Sequence, residues 1–112
     1  MLTKAEALSA LEVALLRPST EGRPLGAERA AVEEHLRASL CEPFEVSARV
    51  MPPGFAFAGA GETLVGYCVA QSRGYWLVYQ PEHNRFLCFW GDEAASLGAH
   101  GVFGSPLYCW AA

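Results

Sequence analysis

The sequence predicts an α+β domain in which two N-terminal helices pack on one face of a five- to six-stranded, mostly antiparallel, curved sheet. Of 112 residues, 52% are hydrophobic and 18% charged, enough for one packed core without disulfides. Residues 1–50 carry 14 of the 20 charges, whereas residues 51–112 carry 12 of the 13 aromatic side chains. We therefore assign one domain, with a helical segment at residues 1–42 and a sheet at residues 43–112.

The first helix is predicted to begin after Thr3. Thr3 and Glu6 have the spacing of a capping box, in which each side chain accepts a hydrogen bond from the other residue's backbone N–H. Leucines then recur at helical spacing, at Leu8, Leu11 and Leu15. The helix should end at Arg17 because Pro18 disfavours a helical conformation in the residue before it.

A second helix is expected at about residues 27–40, after a loop at residues 19–26 that contains Gly22 and Pro24. Its apolar stripe has a spacing of four and consists of Val32, Leu36 and Leu40. Glu33 and Arg37 form an i,i+4 ion pair on the solvent side. His35 lies at the edge of the stripe, and we interpret it as a boundary histidine rather than a metal ligand.

The sheet is predicted to begin at Phe44, where apolar and polar residues start to alternate up to Val50. A short strand at residues 55–58 follows. The next three strands, at residues 64–70, 75–79 and 86–90, are apolar almost throughout, so both of their faces should be shielded from water. Asp92 could begin one helical turn that ends at Gly98, the glycines that follow suit a turning loop, and residues 107–110 read as a last strand.

The predicted loops set the pairing of these strands. A three-residue loop at Ser72-Arg73-Gly74 would place three tyrosines on one face, Tyr67, Tyr75 and Tyr79. The opposite face would carry Trp76 and small residues that suit close helix packing, Gly66, Cys68 and Ala70. If the loop at residues 81–84 pairs Gln80 with Arg85, then Phe86, Cys88 and Trp90 join the tyrosines. A one-residue change in loop length would put Leu87 and Phe89 there instead.

Two helices of this length can cover one face of such a sheet but not both. The second face must then close on itself as a barrel, dimerise, bind a partner or line a pocket, because large exposed apolar patches are uncommon on monomers. This uncovered face is the main functional indication in the sequence.

Charge and composition argue against several functions. The net charge of −4 includes no basic surplus of the kind that nucleic-acid binding needs. No apolar run approaches the roughly 18 residues of a membrane span, and no signal-peptide cleavage pattern is present, so we expect a cytosolic protein. The four cysteines are 27, 20 and 21 residues apart and form no CxxC motif. We expect them to be reduced, with no metal and no cofactor bound.

The interpretation that fits best is a protein-interaction module that binds another protein or a second copy of itself. The interface candidates are Tyr67, Tyr75, Trp76, Tyr79, Arg85 and Trp90. A bacterial immunity protein that neutralises a toxin by occlusion is the most specific version, because an acidic surface can be steered toward a basic cleft. One alternative is a small-molecule binder or small enzyme with an aromatic pocket anchored by His83, His100 or Cys109. Another is a structural homodimer subunit. No catalytic set is identifiable.

Overall fold

The computed structural model describes residues 2–16 and 29–111. In these ranges the elements follow the order α1 (Lys4–Leu15), α2 (Arg29–Ala38), β1 (Leu40–Val50), β2 (Thr63–Ser72), β3 (Tyr75–Gln80), β4 (Arg85–Trp90), β5 (Leu97–Gly104) and α3 (Pro106–Ala111). The α+β prediction is confirmed. The predicted loop at residues 19–26, the helix end at Arg17 and the helix start at residue 27 lie outside the described residues.

The five strands form a closed barrel in the order β1-β2-β3-β4-β5. Four of the strand pairs are antiparallel, and a parallel pairing of β1 with β5 closes the barrel. Closure is one of the four outcomes expected for the uncovered face. It removes both free sheet edges, so every strand is paired on both sides.

Side-chain alternation along the strands divides the apolar residues between two clusters. The inner core fills the barrel and consists of Val46, Ala48, Cys68, Trp76, Val78, Leu87, Phe89, Leu97 and Ala99. The outer core lies between the barrel and the helices and includes Leu11, Leu15, Leu36, Leu77, Tyr79, Phe86, Cys88, Leu107 and Trp110. The sheet is therefore apolar on both faces because one face lines the barrel and the other supports helices.

The helices cover the face opposite to the one that the small residues suggested. Tyr79 and Leu77 pack in the outer core, whereas Cys68 and Val78 point into the barrel. The physical reason is the small diameter of a five-stranded barrel, since even eight strands leave room only for side chains. Small residues are needed inside it: a Cβ on Gly66 would lie 2.5 Å from Val78 Cγ1.

The β2–β3 hairpin has a two-residue turn and not the predicted three-residue loop. Ser72 pairs with Tyr75, and both turn residues, Arg73 and Gly74, have positive φ angles of 47° and 84°. Two positive φ values are typical of the type I′ turn that suits twisted strands. A bulge between Cys68 and Ala70 offsets the shorter turn. Tyr67 consequently pairs with Tyr79, and Ala70 lies in the outer core.

The β3–β4 hairpin takes the first of the two registers that the sequence left open. Gln80 pairs with Arg85 across the four-residue loop, and Asn84 has a positive φ of 47°. Phe86, Cys88 and Trp90 consequently share the tyrosine face.

The C-terminal segment differs from the prediction in two places. The glycine-containing segment after residue 97 is strand β5, which pairs with both β4 and β1, with positive φ at Gly101 and Gly104 allowing it to bend. Residues 107–110 lie in helix α3 rather than in a strand. Pro106 occupies the first position of α3, and the Ser105 hydroxyl accepts a hydrogen bond from Tyr108 N at 3.3 Å. These are helix-start signals, which were overlooked because the apolar run that follows also fits a strand.

Two smaller predictions are also corrected. Residues 55–58 form a turn held by one bridge between Phe55 and Ala58, not a strand. The helical turn expected after Asp92 is a 3₁₀ turn at Ala94–Ser96, which leads directly into β5.

The N-terminal helices follow the sequence pattern closely. The Thr3–Glu6 capping box is present, and Leu11, Leu15 and Leu36 are buried. Arg37 forms ion pairs with Glu33 on its own helix and with Glu12 on α1. Leu40, expected in the second helix, instead begins β1. In the ranges that the structure describes, no helix combines the length and the apolar character needed to cross a membrane.

Candidate functional site

An open groove with a volume of about 870 Å³ runs between α1, the β3–β4 turn and the junction of β5 with α3. We refer to it as the rim groove, because it lies at the end of the barrel where β3 ends and β4 begins. Its apolar lining includes Leu2, Ala10, Val13, Phe86 and Phe103. Polar groups on its lining include Glu6, Ser9, Asn84, Arg85 and Ser105.

Arg85 is held in the groove by its strand partner Gln80. The Arg85 Nε donates a 2.6 Å hydrogen bond to Gln80 Oε1, and Gln80 Nε2 donates a 2.9 Å bond to the Val65 carbonyl oxygen. Gln80 is only 4% exposed, although it is polar. Because its amide is engaged at both ends, its oxygen is oriented toward Arg85, and the guanidinium is fixed on the Nε side.

An aromatic cluster supports the other side of the guanidinium. The Arg85 guanidinium carbon lies 3.6 Å from the centre of the Phe57 ring, in the geometry of a cation–π contact. Phe57 stacks on Phe55 with centroids 4.9 Å apart and meets the Phe103 ring edge-on at 5.2 Å. These three phenylalanines form an aromatic cluster that adjoins the groove at Phe103.

The terminal amino groups of Arg85 have no hydrogen-bond or ion-pair partner within residues 2–16 and 29–111. Desolvation lowers the pKa of Arg85, and the nearby Glu82 carboxylate opposes this effect. An arginine side chain stays protonated despite such a shift. The groove therefore contains a positive charge that is partly removed from water.

The floor next to Arg85 is formed by the β3–β4 hairpin. The Tyr79 hydroxyl donates a 2.8 Å hydrogen bond to Asn84 Oδ1, and the Tyr79 and Phe86 rings lie 4.9 Å apart. These contacts fix the turn against the end of β3.

Among the described residues that line the groove, Glu6 supplies the only negative charge. One of its carboxylate oxygens accepts a 3.1 Å hydrogen bond from Thr3 N in the capping box, and this bond lowers the pKa of Glu6. The carboxylate thus caps α1 and is not paired with Arg85.

Large apolar side chains are exposed along the groove. Val13 is 50% exposed, Phe103 40% and Phe57 38%. Exposed apolar groups next to a concave surface are typical of binding sites, because a ligand that covers them removes them from water.

The predicted interface residues do not form one free surface. Trp76 is 4% and Tyr79 7% exposed, and they lie in the inner and outer cores respectively. This corrects the expectation of an open tyrosine face: the helices cover it, and barrel closure encloses Trp76. Tyr67 and Trp90 are half-buried, and Tyr75 stays exposed beside Trp90. Of the six candidates, only Arg85 and Tyr79 line the rim groove.

The alternative pocket residues are not brought together. His83 lies in the β3–β4 turn at one end of β3, whereas His100 contacts Trp90, which pairs with Tyr75 at the other end. Cys109 is fully buried in α3, and its thiol donates to the Phe86 carbonyl oxygen. These three residues therefore do not share an aromatic pocket.

The thiols are in surroundings that suppress reactivity. Cys68, Cys88 and Cys109 are buried, and Cys41 is half-buried. Desolvation raises the pKa of Cys88 to about 12 and also raises the pKa values of Cys41 and Cys68. Neutral thiols are poor nucleophiles. Among the described residues, no group of three or more histidine, cysteine or acidic side chains could hold a metal ion.

Three residues around Arg85 were not identified from the sequence as site residues: Phe57, Gln80 and Phe103, of which Phe103 lines the groove. Gln80 carries a weak signal, as a polar residue that ends an apolar strand, but Phe57 and Phe103 come from distant segments that only folding brings together.

The fold and this geometry define an α+β barrel with a partly apolar groove, in which the terminal amino groups of the Arg85 guanidinium have no partner among the described residues. Comparisons with protein-family models, curated proteins and solved structures found no match to this chain. The function is therefore inferred from the groove itself.

Proposed function

We propose that this protein is a small cytosolic binding module that holds an apolar segment of another protein in the rim groove. The observation that carries the proposal is the exposure of large apolar side chains at one groove: Val13 and Phe103 line it and are 50% and 40% exposed, and Phe57, 38% exposed, contacts Phe103. Burying exposed apolar area is the main favourable term in protein association. The groove replaces the tyrosine face as the expected contact surface.

A protein segment fits this surface because the apolar area extends beyond the groove. Phe57 does not line the groove, yet it contacts Phe103, which does. A toxin-neutralising immunity protein would be one such module, with the toxin supplying the segment. The net charge of −4 would assist association with a basic partner.

A small-molecule ligand is a second candidate, supported by the groove volume. About 870 Å³ falls within the range of about 300–1,000 Å³ that is usual for such sites, which are mostly apolar with a few polar groups. A second copy of the chain is a third possible occupant.

Selection from a display library of random dodecapeptides tests the proposal. The bait is the full-length chain, and the matched variants are Val13→Glu, in the groove, and Val65→Glu, on β2 outside the groove. The two valines are 50% and 45% exposed, and both variants change the net charge equally. We expect apolar peptides whose affinity falls at least about tenfold for Val13→Glu, since a carboxylate among apolar contacts is costly, and stays unchanged for Val65→Glu.

Equal loss of binding in both variants would place the peptide site elsewhere. If no peptides are selected and sedimentation detects a dimer that Val13→Glu disrupts, the groove is a homodimer contact. Either outcome contradicts the proposal.

A further inference from the structure

Arg85 has the arrangement of an anion-binding residue. Its Nε is bonded to Gln80, its guanidinium lies on the Phe57 ring, and its terminal amino groups point to no partner in the described part of the chain. An arginine side chain held on two sides has lost most of its freedom before a ligand arrives. Such preorganisation lowers the entropic cost of binding.

The surroundings of Arg85 select the kind of anion. The planar guanidinium matches a carboxylate or a phosphate in a two-bond, side-by-side geometry. Among the described residues, Arg85 is the only basic one that lines the groove, whereas Glu6 lines it and Glu82 lies close enough to affect the pKa of Arg85. Because these two carboxylates repel further negative charge, a singly charged carboxylate is favoured over a doubly charged phosphate.

The apolar walls define what must be attached to this carboxylate. Phe103 and Phe86 line the groove together with Arg85, and Phe57 lies against the guanidinium. A group bound to the amino groups of Arg85 therefore continues into apolar surroundings.

We infer that the segment bound in the rim groove carries a carboxylate next to apolar side chains, and that this carboxylate accepts two hydrogen bonds from the terminal amino groups of Arg85. The inference rests on the proposed function and adds the chemistry of the partner. Gln80 is a positioning residue in this arrangement because it acts through Arg85.

The experiment repeats the dodecapeptide selection with the wild-type chain, Arg85→Gln and Arg49→Gln as baits. Arg49 is exposed on β1 and does not line the groove, so its variant is matched in charge change. We expect acidic residues among apolar ones in peptides selected by the wild type and by Arg49→Gln. Arg85→Gln should select apolar peptides without acidic enrichment.

A double-mutant cycle with synthetic peptides then measures the contact. The best acidic peptide and its Glu→Gln or Asp→Asn twin are titrated against the wild type, Arg85→Gln and Arg85→Lys. Each single change should weaken binding about 10- to 100-fold, as expected for a charged hydrogen bond, and the second change should add little to the first. Arg85→Lys should restore only part of the affinity because it lacks the two-bond geometry. Circular dichroism melting shows whether each variant stays folded.

The outcomes separate this inference from the proposed function. Apolar peptides without acidic enrichment on the wild type, or additive effects in the cycle, would overturn the carboxylate contact and leave the groove a site for apolar segments. Failure to select any peptide that depends on Val13 would overturn both. Binding of sodium octanoate, weakened by Arg85→Gln, in the absence of selected peptides would assign the groove to small carboxylates and contradict the protein partner.

Discussion

The indole Nε1 of Trp110 donates a 2.9 Å hydrogen bond to Nδ1 of His35, across 75 residues of sequence. The two rings lie 5.7 Å apart and are tilted by 36°. The contact ties α3 to α2 at the edge of the outer core, where Trp110 is 8% exposed. Since Nδ1 accepts, the proton of the neutral imidazole is on Nε2. His35 is thus the boundary histidine that its position on the helix predicted.

Replacing His35 with alanine should lower the free energy of unfolding by about 1–2 kcal/mol, because the buried Trp110 N–H loses its acceptor. His83→Ala is the control, since His83 is exposed in the β3–β4 turn, and it should change stability by less than about 0.5 kcal/mol. Urea denaturation followed by circular dichroism measures both. Similar values for the two variants would mean that the Trp110–His35 bond contributes nothing.

Leu36 is fully buried between α2 and the barrel. Leu36→Ala should cost about 2–5 kcal/mol from lost burial and the cavity left behind. Glu34 is exposed on the same helix, and Glu34→Ala should change stability by less than about 0.5 kcal/mol. The comparison uses the urea midpoints of the two variants. A small effect at Leu36 would contradict the packing of α2.

Gly66 allows the barrel to close around its neighbours on β3. A Cβ added at this position would lie 2.5 Å from Val78 Cγ1 and 3.1 Å from the Tyr79 carbonyl oxygen. The backbone oxygen cannot move aside. Gly66→Ala should therefore destabilise the fold by about 1–3 kcal/mol.

Gly59→Ala is the matched control for this substitution. The new Cβ would meet only Glu62 Oε2, at 3.5 Å, which is an ordinary contact. Its effect on stability should be within about 0.5 kcal/mol. If thermal melting finds Gly66→Ala as stable as Gly59→Ala, the barrel is wider at this point than the structure indicates.

Thiol labelling should distinguish Cys41 from the other three cysteines. At pH 8 the native protein should react with Ellman's reagent only at Cys41, and slowly, because Cys41 is half-buried and burial raises its pKa. Denatured, unreduced protein should release four equivalents. Rapid labelling of two or more native thiols, or fewer than four in the denatured chain, would contradict this assignment.

Stability should decrease at alkaline pH because of the buried thiols. The pKa of Cys88 is about 12 in the folded protein, against an ordinary value of 9.0. A thiol with a raised folded pKa contributes stability that is fully present below the unfolded pKa and is lost as pH rises toward the folded pKa. The urea midpoint should fall between pH 8 and pH 11, and less steeply for Cys88→Ala. Equal slopes would exclude Cys88 as a source of the pH dependence.

Local patterns account for the elements that the sequence predicted correctly. The capping box at Thr3 and Glu6, the leucine spacing of α1 and the loop at residues 81–84 each depend on residues within a few positions of one another. The pairing of Gln80 with Arg85 was one of the two registers that the sequence left open, and the structure selects it.

Where a sequence pattern fits two kinds of secondary structure, the pattern alone could not decide between them. An apolar run at residues 107–110 fits a strand or a buried helix, and only the docking of α3 against the outer core selects the helix. Strand β5 was missed because its glycines weaken a strand locally, and its pairing with β1 joins residues about 50 positions apart.

The candidate site shows the same division. Arg85 was an interface candidate from the sequence, and its place beside Gln80 was one of the two registers that a short hairpin allows. Phe57 and Phe103 come to this place from other segments of the chain, and no local rule links them to Arg85.

The sequence by itself determined that this chain has helices followed by a sheet with two apolar faces, since period and composition are local properties. Only the tertiary structure decided which face the helices cover. The narrow barrel holds Trp76 and Phe89 together with the small residues Ala48 and Cys68, and a Cβ at Gly66 would meet Val78. Steric fit among residues that are distant in sequence therefore turned Tyr79 toward the helices and left Arg85 at the rim.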